Sequence, residues 1–521
     1  MRVASVMLRG FKQQSKTRMK VLNKKYGIAF LAGAACVLGF APFGAYPIPV
    51  LALAVLFALW HNKESPASAA KIGFAFGLGL FITGISWIYV ALHDYGEMPT
   101  LLAALVTLLF AAFIALLPAL AGYLQAIFKA SNGLQVWLVM PAVWVLTEWL
   151  RGLLFTGFPW LTLGYAHSDS PLAGFAPVLG VYGVSLIAAV SAGLLARVFE
   201  VRRRKSSQIA LAVLVVLWLG GALLRNIAWT QPQGESFSVA LVQGNVAQDL
   251  KFNEDALVGT LENYRRLVLQ SNARLIVLPE TALPLQRHEL PGTLVAQLRD
   301  HAQQNGGDVL IGAFVRDENR HFYNSVFSLG SAQEQLYNKQ HLVPFGEFIP
   351  LRPVLGWLIN EVLNIPMGDL TRGGAQQAPL NVAGQRVAMN ICYEDVFGEE
   401  IILALPQATL LVNVTNDAWY GHSHAAEQHN QIAQLRALET GRMMLRATNT
   451  GVTSIIGADG KVVQKIPQHQ EGVLLGMAQG YSGSTPYVRW GNAAVLLLLI
   501  AMLAYAWLQR RSSPLPLAGE V

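Results

Sequence analysis

A chain of 521 residues that is 53% hydrophobic and only 13% charged, with a mean hydropathy of +0.40, is too apolar for a water-soluble protein and predicts an integral membrane protein. Its formal net charge of +7 is unevenly spread, because 24 of the 31 acidic residues but only 17 of the 38 basic ones fall between Glu235 and Tyr481. The basic excess therefore reports membrane orientation rather than nucleic-acid binding, and two cysteines, one of them (Cys36) inside an apolar run, exclude a disulfide framework.

Residues 1–25 are basic and without periodicity, and they read as a cytoplasmic tail ahead of a retained first span. Apolar segments long enough, or nearly so, to cross a hydrocarbon core of about 30 Å follow. They run at Ile28–Gly44, Tyr46–Trp60, Ile72–Leu92, Thr100–Phe128, Leu134–Leu150, Leu172–Ala196, Ile209–Ala228 and Trp490–Leu508, eight candidates in all. The first two are short, and Pro42, Pro47 and Pro49 crowd their junction, which suits a hairpin or re-entrant pair. With eight spans both termini share one side. The tail, Lys63 with Lys71, Lys129, the run Arg202-Arg203-Arg204-Lys205 and Arg510-Arg511 fall there. The loops 93–99 and 152–171 carry no Lys or Arg and fall opposite, with the acidic segment. That pattern predicts an outward-facing domain, which in a Gram-negative cell is periplasmic. The expected division is a tail (1–25), seven spans (26–230), an outer domain (235–480), a final span (489–509) and a second cytoplasmic tail (510–521).

Between Phe237 and Met477 the pattern changes to short strands rich in Val, Ile and Leu (SVALVQGNV, ARLIVLPE, DVLIGAFV, NSVFSLG, RVAMNIC, ATLLVNVTN, TSIIGADG). Amphipathic helices are predicted at Asp255–Gln270, Pro291–Gln304 and Ala426–Ala447. Together they predict one α/β domain with a sheet covered by helices. Val343–Met367 is unusually apolar for such a domain and reads either as core or as a flap on the bilayer surface.

Three stretches of that domain set an ionisable residue beside strand-like sequence: LPETALP with Glu280, LYNKQHLVPFGE with Lys339 and Glu347, and NICYED with Cys392 and Glu394. A lone cysteine is ordinarily a small buried hydrophobe. Cys392, however, closes an apolar strand, and the helical-looking segment 398–405 follows closely enough to favour a thiolate through its dipole. A carboxylate to take the thiol proton, an ammonium to steady an oxyanion and a thiolate to attack a carbonyl suffice for acyl transfer, with no cofactor and no metal.

The order PE…K…LVPFGE…CYED resembles the nitrilase superfamily with its Glu, Lys, Cys triad. With the apolar frame, the match narrows to the apolipoprotein N-acyltransferase family, the membrane branch of that superfamily. ALVQGN (240–245), LPETALP (278–284), HLVPFGEFIP (341–350), NICYEDVF (390–397), NDAWYG (416–421) and RALETGRMMLRATNTGVT (436–453) carry it, across nearly the whole chain. The resemblance implies a multi-pass helical membrane domain of about eight spans joined to a nitrilase-like α-β-β-α sandwich. It makes Glu280 the general base, Lys339 the oxyanion-orienting cation and Cys392 the nucleophile, with Glu347, Glu394 and Tyr393 as positioning residues. Where the family carries Trp soon after QGN, this chain has Phe252, which keeps an aromatic lid but no indole N–H. The resemblance implies transfer of the sn-1 acyl chain of a phospholipid, typically phosphatidylethanolamine, through a Cys392 thioester to the α-amine of the diacylglyceryl cysteine of an apolipoprotein, in the inner membrane.

Phe252, Trp357, Trp419 and Tyr420 are candidates for a lid or site mouth. His422, His424 and His429 include an H-x-H pair with a metal-ligand look, but read as polar loop residues near that mouth. Glu148 and Arg151 stand one helical turn apart, and snorkelling toward water is the expected fate of both. Two other readings stand beside the acyltransferase: a membrane-tethered amidase that passes the acyl group to water, and a transporter or sensor with an outward binding domain.

Overall fold

The computed structural model describes residues 24–61, 64–130, 132–200, 204–251, 254–350, 352 and 369–511. Each of the eight apolar segments holds a helix: α1 (24–36), α2 (Pro47–His61), α3 (Pro66–Gly84), α4 (Thr100–Phe128), α5 (Met140–Arg151), α6 (Ala176–Glu200), α7 (Arg204–Leu224) and a last one at Ala493–Arg511. Among the described residues five stretches are long and apolar enough to cross a membrane: Pro66–Gly84, Thr100–Phe128, Pro171–Val198, Lys205–Leu224 and Ala493–Arg510. The segments expected at Ile28–Gly44, Tyr46–Trp60 and Leu134–Leu150 hold shorter helices. α2 has only 15 residues, and Pro47 sets its start. Small residues let α3 and α4 touch through their backbones: a Cβ on Gly73 would lie 2.2 Å from the Pro118 carbonyl oxygen. The outer side of α4 leaves Leu101, Leu105, Leu109 and Leu116 exposed, a surface for hydrocarbon rather than water.

The α/β part is two six-stranded sheets. The first runs β12 (Gly472–Gly483), β1 (Thr230–Gln243), β2 (Leu275–Val277), β3 (Asp308–Arg316), β4 (Phe322–Gly330), β5 (Leu336–Asn338). The second runs β11 (Val462–Ile466), β10 (Thr453–Ile456), β9 (Met444–Thr448), β8 (Leu410–Thr415), β7 (Gln385–Ile391), β6 (Leu380–Val382). In each sheet the three central strands are parallel. Strand alternation sorts their side chains. Val239 and Leu241 join Val387, Met389, Ile391, Val412 and Val414 in one cluster between the sheets. Ala240 and Val242 face the other way, under α8 (Glu254–Leu269) and α9 (Gly292–Gln304). Ala388, Leu411 and Met444 lie under α10 (Ala425–Thr440). The layers are therefore α-β-β-α.

Three expectations change. The helix expected to reach Ala447 stops at Thr440, because Gly441 (φ +62°) caps it in the left-handed region and Met444–Thr448 then pairs with β8 as a strand. The segment 398–405 yields only a four-residue helix, Gly398–Ile401, and a further tight turn, so little dipole aligns near Cys392. Glu148 and Arg151 do not snorkel but are both 5% exposed. Glu148 accepts from the Leu163 N–H at 2.9 Å, and Arg151 donates to the carbonyls of Phe158 and Trp160 and to the Thr162 hydroxyl. They tie down the loop that carries Trp160.

Candidate active site

Ligand sites in open parallel sheets lie beyond the carboxyl ends of the strands, and here five such ends converge. β1 leads into Gly244–Lys251, β2 into Glu280, β7 into Cys392, β8 into Asn416 and Asp417, and β9 into Asn449. The turn after β2 fits closely against β3 because Gly312 has no side chain; a Cβ there would sit 2.3 Å from the Pro279 oxygen and 2.9 Å from the Glu280 Cα.

Glu280, Lys339 and Glu347 form one buried cluster. The Lys339 Nζ donates to Glu347 Oε1 at 2.8 Å and to Glu280 Oε1 at 3.2 Å, and its side chain is 1% exposed. Asn324 Nδ2 bridges the same carboxylates, at 2.7 Å to Glu280 and 3.2 Å to Glu347. The second oxygens are held by backbone: Asn416 N–H on Glu280 at 2.9 Å and Val343 N–H on Glu347 at 2.8 Å. Burial acts to raise the Glu280 carboxyl, but Lys339, Lys251 and the Asn324 hydrogen bond outweigh it and hold it below the usual carboxylate range. For Lys339 burial acts to lower the ammonium, and Glu280 with Glu347 lift it well above the usual value. Both are ionised at neutral pH.

Cys392 caps β7 with φ +54°, a conformation that only a tightly fixed turn sustains for a residue with a side chain. Its carbonyl accepts from Asn413 Nδ2 at 3.1 Å, and Thr415 hydrogen-bonds its sulfur. The thiol lies within electrostatic reach of Glu280 and Lys339. Burial, then the Glu280 charge, push it well above its ordinary value, only partly opposed by Lys339. Against the expectation of a readily ionised thiolate, burial and the Glu280 charge favour the protonated sulfur.

Glu394 receives the N–H groups of Gln340, His341 and Ile391 and the Tyr337 hydroxyl, fastening the Lys339 strand to the cysteine turn. Burial raises its carboxyl to about 7 against those N–H groups. Tyr393 reaches the other way. Its hydroxyl donates to the Gly157 oxygen at 3.1 Å and its ring stacks on Trp160, so the cysteine turn is moored to the Arg151-tethered loop. Tyr420 is half-buried against Trp87, at 4.5 Å between ring centroids, and within electrostatic reach of Cys392, while Trp419 stands 42% exposed at the rim. Phe252 and Trp357, and with them most of the flap, lie outside the described residues.

The three histidines part company. His422 packs against His469 with the rings tilted by 32°, His424 meets Phe43 edge-on, and His429, far from being a loop residue, is buried on α10. Asp395 and Asp417 grip its two ring nitrogens at 2.8 and 2.9 Å. Their other oxygens take Arg446 at 2.9 and 3.1 Å. Both imidazole nitrogens meet carboxylate oxygens, so both must donate, and the ring is imidazolium. Those carboxylates raise it despite burial and Arg446. Beneath lies a rung set by strand register: Asn390, Asn413 and Arg446 face one another on β7, β8 and β9, with 2.6 Å hydrogen bonds between successive side chains.

Sequence reasoning missed Lys251, Asn324, Asn413, Asn416, Arg446 and Asn449. Asn416, Arg446 and Asn449 sit inside the NDAWYG and RATNTGVT motifs, which was the available signal.

Known proteins match most of the chain. Residues 32–194 match the family model described as apolipoprotein N-acyltransferase N-terminal domain, and residues 238–487 match carbon-nitrogen hydrolase. An apolipoprotein N-acyltransferase from Nitrosomonas europaea is 52% identical over 91% of this chain and 95% of its own length. The chain belongs to the apolipoprotein N-acyltransferase family. Family members from Methylococcus capsulatus (44% identical, 93% of this chain and 96% of that one) and Ralstonia nicotianae (46%, 92% and 92%) agree. Membership makes it an acyltransferase with a carbon-nitrogen hydrolase domain, set in a membrane. Among solved structures, a carbon-nitrogen hydrolase from Helicobacter pylori is similar over 53% of this chain and 95% of that one, at 14% identity and a TM-score of 0.35.

Proposed function

We propose that the chain moves the sn-1 acyl chain of phosphatidylethanolamine to the α-amine of a diacylglyceryl apolipoprotein cysteine, with Cys392 as nucleophile, Glu280 as general base and Lys339 as oxyanion partner. The observation that carries this is the buried cluster in which Lys339 bridges Glu280 and Glu347 at 3.2 and 2.8 Å, with the Cys392 turn at the end of β7 within electrostatic reach of both Glu280 and Lys339. In the first half-reaction Glu280 takes the Cys392 proton as sulfur attacks the ester carbonyl. Lys339 stabilises the oxyanion, and its collapse breaks the ester C–O bond, the leaving lysophospholipid oxygen receiving the proton from Glu280. In the second, the amine attacks the thioester and gives a proton to Glu280. The C–S bond breaks, the amide remains, and the thiolate is reprotonated from Glu280. Glu347, Glu394 and Tyr393 position Lys339 and the cysteine turn. Phe252, Trp357, Trp419 and Tyr420 belong in this reading to the lid or mouth.

The Lys and Arg pattern supports a multi-pass inner-membrane topology, both termini cytoplasmic and the 235–480 domain periplasmic, with 26–230 and 489–509 in the bilayer. A domain so placed meets both a phospholipid and an anchored lipoprotein at the bilayer surface. The test uses purified full-length protein with phosphatidylethanolamine and a synthetic diacylated lipopeptide. One added acyl chain on the lipopeptide amine is expected with wild type and none with Cys392→Ser; free fatty acid in place of acylated peptide would favour the amidase-like hydrolase.

A further inference from the structure

Lys251 ends the loop that follows β1, and in the sequence it is an ordinary basic residue next to a predicted helix. The structure buries it to 2% exposure. Its Nζ donates to the Glu280 main-chain oxygen at 3.1 Å and to the Thr281 hydroxyl, and neither of these partners carries a charge. Thr281 itself has φ +44°, so the lysine clasps a strained turn whose first residue is the proposed base.

The loop is fixed from the opposite sheet. Asn449 accepts the Val246 N–H at 2.9 Å and donates to the Val246 oxygen at 2.7 Å, and its own carbonyl takes the Asn245 N–H. Asn416 donates to Gln248 Oε1 at 2.7 Å while its backbone N–H holds Glu280 Oε2. One asparagine thus ties the loop bearing Lys251 to the carboxylate of Glu280. Such a frame fixes an ammonium relative to the base and the thiol; a solvated lysine would need none.

The charges show what it does there. With Cys392 protonated, Glu280 and Glu347 are each negative, Lys339 and Lys251 each positive, and the four cancel. Moving the proton from sulfur to Glu280, and then the negative charge from sulfur to the carbonyl oxygen, leaves the sum at zero. Without Lys251 the same steps run in a buried site carrying one uncompensated negative charge, which a low-dielectric interior penalises heavily. We infer that Lys251 is a second ammonium of the reaction centre, a positioning residue that fixes the Glu280 turn and offsets the negative charge that passes from Cys392 to the oxyanion.

Burial lowers the Lys251 ammonium to about 8, with Glu280 and Cys392 opposing the fall. Lys339 and Glu347 share the cluster, Glu394 faces Lys339 from the cysteine turn, and Asp417 reaches Cys392 from behind with its own charge held by His429 and Arg446. The support is therefore present at pH 7 and fades above about pH 8.

This inference rests on the acyl-enzyme reading, and its experiment separates the two. Full-length wild type, Lys251→Met and Lys251→Arg are compared for the rate of acyl adduct formation with phosphatidylethanolamine and for alkylation of Cys392 by iodoacetamide, both from pH 6 to 9.5. Removing one electrostatic partner of an oxyanion costs about 10²-fold, and Lys251→Met is expected to acylate about that much more slowly and to need a higher pH for alkylation. Lys251→Arg is expected to recover part of the rate and to lose the decline above about pH 8, since a guanidinium does not titrate there. Wild-type rates of acylation and alkylation in Lys251→Met overturn the inference. If that variant does not fold, Lys251→Arg decides alone, and a persisting decline near pH 8 overturns it. A wild type that alkylates but never acylates defeats the acyl-enzyme reading instead, while the alkylation profiles still judge Lys251.

Discussion

Two buried charge clusters flank the Cys392 turn, and they are built differently. Behind it, His429, Asp395, Arg446 and Asp417 close a ring in which every charged group meets two of opposite sign, at 2.8 to 3.1 Å. In front, Glu280 and Glu347 share Lys339, and a neutral thiol stands beside them with its proton in place. The closed ring has no proton to spare and no partner to seek, which suits a fixed support. The open cluster has a base, an acid and a cation in reach of one another, and only such an arrangement can move a proton during a reaction.

Substitutions that break this contrast should separate chemistry from support. The largest effect is expected from Cys392→Ala, which removes the sulfur without touching either cluster: transfer to lipopeptide should fall by about 10⁴-fold or more, with thermal stability close to wild type. Glu280→Gln keeps the shape but cannot take a proton, and a loss of about 10²–10⁴-fold in acylation rate is expected, measured by the appearance of lysophospholipid. On the ring side the damage should appear in stability. Arg446→Met leaves two buried carboxylates sharing one imidazolium, a change worth about 3–5 kcal/mol, read as a large fall in the unfolding temperature in detergent. An active-site variant that unfolds as easily, or a ring variant that keeps its stability and loses only turnover, would break the division.

His429 sharpens the comparison through pH. Its folded value is raised above the ordinary 6.5 by the two aspartates, so its contribution is fully present below about pH 6.5 and is lost as pH rises through the folded value. Wild-type unfolding temperature should decline as pH rises through that folded value, and the decline should be absent from His429→Gln, which is less stable at pH 6. A wild type with the same pH dependence as the variant would contradict the imidazolium assignment. The smallest change expected is Tyr393→Phe, which loses one hydrogen bond to Gly157, about 1 kcal/mol, and loosens the cysteine turn from the membrane-side loop.

Much of this was legible in the sequence because strands announce themselves by Val, Ile and Leu, and Glu280 and Cys392 each follow such a run, while Lys339 was marked only by the motif LYNKQHLVPFGE around it. What the sequence hid is long-range polar pairing. Arg446 looks like a helix residue until Gly441 ends α10 and the β8–β9 register sets it opposite Asn413. His429 reads as a loop residue because both its aspartates are distant in sequence or in a different turn. Lys251 is indistinguishable from a solvated lysine until Asn416 and Asn449 pull its loop against the Glu280 turn. Glu148 and Arg151 looked like membrane-edge residues because the loop folding back over them, 157–163, has no periodicity to predict its path. β5, β6, β9, β11 and β12 escaped prediction for a related reason: short or half-exposed strands such as Val462–Ile466 take their stability from neighbours rather than from their own pattern.

The most direct test of the central claim is the intact mass of the full-length protein after incubation with phosphatidylethanolamine. The account predicts a gain of one acyl chain on wild type that is removed by hydroxylamine, absent from Cys392→Ala, stable in buffer and discharged when a diacylated lipopeptide is added. No adduct on a folded wild type, or an adduct that water removes as fast as the lipopeptide does, would contradict it.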